Sequence, residues 1–102
     1  MATLLVLYGA AADAAAFDKY YFETHVPIAK KMKGLRRYTV NAGPVATPAG
    51  GAAPQLVARL EWDSMAELGA AMESAEGQAA KGDLPNFASG GATVLVYEER
   101  VV

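Results

Sequence analysis

The spacing of apolar residues along this chain changes period in a fixed order, and that order constrains the fold more than anything else in the sequence. Thr3 to Tyr8 is a continuous apolar run stopped by Gly9, as in a strand buried on both faces. After Asp13, which can cap a helix, Phe17, Tyr20, Tyr21, Thr24, His25 and Ile28 recur at spacings of three and four. They form one helical face, and the chain's single histidine lies on it. Pro27 lacks an N–H, and its ring disfavours helical geometry at Val26, so the helix expected over 13–33 bends there. Lys30, Lys31 and Lys33 close its last turn, and Gly34 supplies a left-handed cap.

Residues 35–42 alternate as a half-buried strand, with Tyr38 and Val40 on one row. The stretch 43–54 is almost wholly Ala, Gly and Pro, so it reads as a mobile connection between strands. A third strand follows, with Leu56, Ala58, Leu60 and Trp62 on its apolar row. Ser64-Met65-Ala66-Glu67 matches a capping box, with Asp63 beside it as part of the cap. The helix it opens is expected to bury Met65, Leu68 and Met72, and Ser74 opens a further turn to about Lys81. Residues 83–91 read as a connection, and 93–98 as a last strand, with Glu98 and Glu99 exposed near its end.

The order β-α-β-β-α-β specifies an α+β, ferredoxin-like antiparallel sheet with its helices on one face, and residues 1–102 read as one domain. Composition limits the size of its core. Of 54 hydrophobic residues 22 are alanine, which leaves 32 larger apolar side chains to cover the sheet. The last strand is apolar on both rows although it falls at an edge. A second copy covering the helix-free face would account for this, so a homodimer is expected.

Other classes fall away on composition. Without cysteine there are no disulfides, zinc-thiolate sites or iron–sulfur clusters, and one histidine gives no multi-histidine metal site. No metal or other cofactor is expected. A net charge of −2 argues against nucleic acid as a partner. No run is long enough for a membrane span or a signal peptide, so the expected location is cytoplasmic. Gly50-Gly51 and Gly90-Gly91 lack any phosphate-loop fingerprint. Lys30, Lys31, Lys33, Arg36 and Arg37 read mainly as a solvated helix end.

Two segments resemble the EthD family of small dimeric α/β-barrel proteins. One runs from Tyr20-Tyr21-Phe22-Glu23-Thr24-His25-Val26-Pro27 through Gly34-Leu35-Arg36-Arg37-Tyr38-Thr39-Val40-Asn41. The other joins Trp62-Asp63-Ser64-Met65 and Ser74-Ala75-Glu76-Gly77-Gln78-Ala79 to Asp83-Leu84-Pro85-Asn86-Phe87. The resemblance implies a dimeric barrel, related to cofactor-free isomerases, cyclases and monooxygenases, with a pocket between the sheet and helices of each subunit. Lactone isomerases of the broader group place a histidine and a tyrosine where this chain has His25 and Tyr38. They add a histidine and a cysteine that it lacks.

The candidate site is therefore His25 with Tyr38. An imidazole titrates near neutrality and suits proton transfer, and a strand tyrosine can donate to a substrate oxygen. Phe17, Tyr21, Trp62, Met65 and Phe87 are the expected pocket walls. The reading is a homodimer that binds a small, mostly apolar organic molecule, in a catabolic or ether-degrading setting. The alternative is a cofactor-free enzyme with His25 as general acid or base.

Overall fold

In the computed structural model, which describes residues Met1–Val102, four strands form one antiparallel sheet in the order β2-β3-β1-β4. Strand β1 (Ala2–Tyr8) is central, flanked by β3 (Leu56–Trp62) and the edge strand β4 (Ala92–Glu98), with β2 (Arg37–Val40) at the other edge. The sheet register aligns Leu4 with Leu60 and Val96, and Val6 with Ala58 and Val94. These even-numbered positions share one face. Leu4, Val6, Tyr8, Leu56, Ala58, Leu60 and Trp62 are buried there against the helices. The opposite row behaves differently: Leu5, Leu7 and Val57 are only half-buried within a single chain. On β4, Val94, Leu95, Val96 and Tyr97 retain 40–44% of their accessible surface.

The first helix departs from the sequence expectation. Helix α1 (Ala14–Tyr20) is capped by the Asp13 side chain, which accepts from the Ala16 N–H. It then widens into a π-helical turn, Tyr21–His25, where the Val26 N–H reaches back to the Tyr21 carbonyl. The short helix α2 (Val26–Ala29) completes it, carrying Pro27 in its first turn. Val26 keeps helical dihedrals (φ −56°, ψ −47°), so the proline is accommodated by widening the preceding turn rather than by extending Val26. In a continuous α-helix the proline ring would meet the carbonyl of residue 23.

Widening also keeps one face aligned. Residues four apart drift by ~40° per step in a regular α-helix, so a stripe from position 17 to 29 would wind away from the sheet. Here Phe17, Tyr21, His25 and Ala29 all stay buried. Regular helix ends at Ala29, short of the expected 33, and Gly34 turns the chain with φ +80° above the Trp62 ring.

Strand β2 is four residues long, shorter than the expected 35–42. Helix α3 (Met65–Glu73) starts at Ser64, whose hydroxyl accepts from the Glu67 N–H. It buries Leu68 and Ala71, while Met72 is half-buried and Met65 lies exposed in its first turn. Asp63 pairs with Arg36 at 2.7 Å instead of capping. Helix α4 (Ala75–Asp83) is capped by Ser74 and reaches two residues beyond Lys81, ending in a 3₁₀ turn over Leu84–Asn86. Gly77 is required where α4 meets α3, since a Cβ there would lie 2.1 Å from the Ala71 carbonyl oxygen. Glu99 is not a free end charge: it accepts from Thr3 and pairs with Arg59 on the helix-free face.

Candidate functional site

Between sheet and helices lies a cavity of about 320 Å³. Leu4, Val6, Ala58, Leu60 and Val94 form its sheet wall, and Ala29, Met32, Met72, Gly77, Ala80 and Leu84 its helical wall. The space is bordered by small residues from both layers, Ala58 from β3, Ala29 from α2 and Ala80 from α4, beside Gly77 where α4 meets α3. Larger side chains would close it. His25, Tyr8, Tyr38 and Lys81 bring the polar groups to an otherwise apolar surface.

His25 is held on three sides. Phe87 and Tyr21 lie against its ring, with centroids at 4.7 and 5.4 Å, and its Nδ1 is 2.9 Å from Asp83 Oδ2. The other Asp83 oxygen accepts from the Tyr20 hydroxyl at 2.6 Å and from Asn86 Nδ2 at 3.0 Å. Both carboxylate oxygens are thus used. Burial pushes the Asp83 carboxyl up, but the hydrogen bonds from Tyr20, Asn86 and His25 outweigh it and hold the group below the usual carboxylate range. Burial lowers the His25 pKa, only partly offset by Asp83, so the imidazole is neutral at pH 7. A neutral ring beside a carboxylate carries its proton on Nδ1 and donates it to Asp83. The one side-chain hydrogen bond of His25 is made at Nδ1, so Nε2 is left as a free acceptor.

Tyr38 sits on the short edge strand β2, with its hydroxyl 2.6 Å from that of Tyr21. Tyr21 is wholly buried. Either hydroxyl can donate in this pair, and when Tyr21 donates, the Tyr38 proton is free for a group in the cavity. Burial raises the pKa of Tyr38, and it also raises those of Tyr8 and Tyr21, so all three remain neutral donors.

The structure thus brings His25, from the helical layer, and Tyr38, from strand β2, to the lining of one cavity, while the five expected lining residues lie outside that lining. Phe17, Tyr21 and Phe87 pack with Tyr8 into an aromatic cluster beside the cavity, with centroids 5.4–5.8 Å apart. Trp62 is buried at the far end of β3, its indole N–H donating to the Lys33 carbonyl at 3.0 Å. Met65 faces solvent. The sequence reading missed Asp83, taken for part of a connection. Its signal was positional: Asp83 continues the row of Gly77 and Ala80 on α4, and a carboxylate on a buried row needs a partner.

Comparison with known proteins agrees with this architecture. A family model described as the EthD domain matches residues 10–91. An uncharacterized 11.0 kDa protein of the thcB-thcC intergenic region of Rhodococcus erythropolis is 38% identical, over 100% of this chain and 98% of the relative. A crystal structure of an ethyl tert-butyl ether d (EthD) family protein from Bacillus halodurans superposes with a TM-score of 0.88 at 35% identity, covering 98% of this chain and 99% of that one. An EthD-like protein from Ralstonia eutropha superposes with a TM-score of 0.69 at 28% identity, covering 95% and 89%.

Proposed function

Because this chain belongs to the EthD family, we propose that it binds a small, largely apolar organic molecule in the cavity and moves a proton on it, with His25 as the base. One observation carries the reading. The imidazole belongs to the lining of an apolar cavity and is tied at Nδ1 to a buried carboxylate, which leaves Nε2 as its uncommitted nitrogen. A volume of about 320 Å³ lies within the range of small-molecule sites.

The chemistry that fits is proton abstraction from a carbon next to a carbonyl. Nε2 takes the proton, the C–H electron pair becomes part of a C=C bond, and the carbonyl oxygen gains the negative charge. Tyr38 donates a hydrogen bond to that oxygen. The imidazolium forms an ion pair with Asp83 until it returns the proton to the same carbon or to a conjugated one. The result is exchange or isomerisation, with no net oxidation. Dry walls strengthen both charge contacts. Asp83 acts through His25 as a positioning residue.

Deuterium uptake from D2O into a butenolide or cyclic enone, followed by NMR, tests this step. Wild type should exceed buffer, and His25→Gln should lose a factor of about 10²–10⁴. Equal rates for both proteins would leave a binding role only. The setting we infer is catabolic and cytoplasmic. The molecule in the Bacillus relative's name, ethyl tert-butyl ether, is a small apolar compound of the kind this cavity would admit. A carbonyl product of such breakdown would then be the proton donor.

The active form we infer is a homodimer closed over the helix-free sheet face. The support is the half-exposed row of Leu5, Leu7 and Val57, continued onto β4 by Leu95 and Tyr97, both more than a third exposed. Contiguous apolar surface of this kind is unusual on a soluble monomer. Sedimentation equilibrium at micromolar concentration should give twice the chain mass, and Leu95→Glu should give a monomer. A monomeric wild type would end this reading.

A further inference from the structure

One charge in the cavity is not used by the proton chemistry. Gly77, Ala80, Lys81 and Leu84 form a single row on α4 and its 3₁₀ extension, at helical spacings of three and four, and all four line the cavity. Three of them are apolar or small, and the fourth is a lysine. It is the one charged side chain on the lining, given that His25 is neutral.

Nothing inside the protein balances it. Lys81 takes part in no ion pair, whereas Arg36 is held by Asp63 and Arg59 by Glu61. Asp83, two residues on, has both oxygens committed to Tyr20, Asn86 and His25 and lies behind the cavity wall. Lys81 remains exposed at the residue level while contributing to the lining. A long cationic side chain that is both exposed and part of an apolar lining can lay its stem on the apolar surface and keep its ammonium at the rim. The last turn of α4 favours a cation electrostatically, but that preference is met equally at Gly82, outside the cavity row.

We propose that Lys81 makes this cavity selective for small apolar carboxylic acids, with the carboxylate paired to the ammonium at the rim and the apolar body against Leu4, Val6 and Leu60. The inference rests on the cavity being the ligand site and names the class of ligand it takes.

The test compares 2-naphthoate with its neutral isostere 2-naphthamide by titration calorimetry on wild type, Lys81→Met and Lys81→Arg. The readout is the change in the ratio of the two affinities from one protein to another, which cancels the difference in desolvation between the ligands. For a partly exposed pair, Lys81→Met should lower the naphthoate-to-naphthamide ratio about fivefold and leave naphthamide affinity unchanged. Lys81→Arg should keep the ratio, and raising salt should shrink it in wild type and Lys81→Arg but not in Lys81→Met. An unchanged ratio in Lys81→Met, with naphthamide bound normally, overturns the selectivity and spares the cavity. Failure of wild type to bind either compound overturns both.

Discussion

The space between sheet and helices is filled in two different ways at its two ends. At one, Tyr8, Phe17, Tyr21 and Phe87 meet with ring centroids 5.4–5.8 Å apart, and Tyr20 and His25 join through Phe87. At the other, Ala29, Ala58, Gly77 and Ala80 leave a hole lined by Leu4, Leu60, Met32 and Met72. The same two layers thus yield a close-packed cluster where they present large rings and a cavity where they present small residues. His25 stands on the border. Its rigid placement comes from the aromatic end, and its free nitrogen serves the empty one.

The two ends should differ most in what a truncation costs. Phe17→Ala removes a ring packed against three others and should cost about 3–5 kcal/mol. Leu60→Ala should cost only about 2 kcal/mol, since one side of that leucine already faces a void and has fewer contacts to lose. Urea denaturation with unchanged slope measures both. Equal costs would mean that the cavity end is packed as tightly as the aromatic end.

A smaller effect appears with pH, and it isolates the border. Burial lowers the His25 pKa from its ordinary 6.5, so the folded state resists protonation that the unfolded chain accepts. Stability from this group is complete above about pH 6.5 and declines as pH falls through the window below it. Asp83 is also lowered, so its contribution is complete above its ordinary 3.8 and fades only in stronger acid. Melting temperature should thus fall in two stages on acidification. His25→Gln should remove the first stage and retain the second, and a wild-type curve flat between pH 6.5 and 4 would contradict the buried neutral imidazole. Proton exchange should share the upper window, since protonated His25 cannot act as a base.

Much of this contrast could be read from the sequence at the aromatic end and little of it at the other. Large residues at helical spacing announce a buried face, so Phe17, Tyr21 and His25 aligned as expected. The alternating row of β3 likewise led directly to Leu56–Trp62. The π-turn was hidden because Pro27 marks a disturbance without saying whether the chain bends or widens. Asp83 was hidden because its partnership with His25 spans a sequence separation of 58, and only the fold sets that contact. Met65 illustrates a different failure: in the first turn of a helix, an apolar residue at the right spacing can still lie beyond the sheet. The cavity was the least legible feature, because it is made by side chains that are missing. An alanine on a buried row reads as core whether or not anything faces it.

That ambiguity gives the gentlest test of the comparison. Ala58 and Ala71 are both buried alanines, but Ala58 faces the cavity, whereas Ala71 packs where α3 meets α4, near Gly77. Ala71→Leu forces extra carbon into filled space and should cost about 1–3 kcal/mol. Ala58→Leu places the same atoms in the hole, where new contacts offset strain, so its stability should stay within about 1 kcal/mol of wild type. Its consequence is in binding. A ligand at a hundredfold excess over its Kd stabilises the wild type by about 2.7 kcal/mol, and Ala58→Leu should lose that increment while melting normally without ligand. Full retention of the shift would place the ligand outside the cavity. Loss of the shift with normal folding would show that the missing volume at Ala58 serves binding rather than marking an imperfect core.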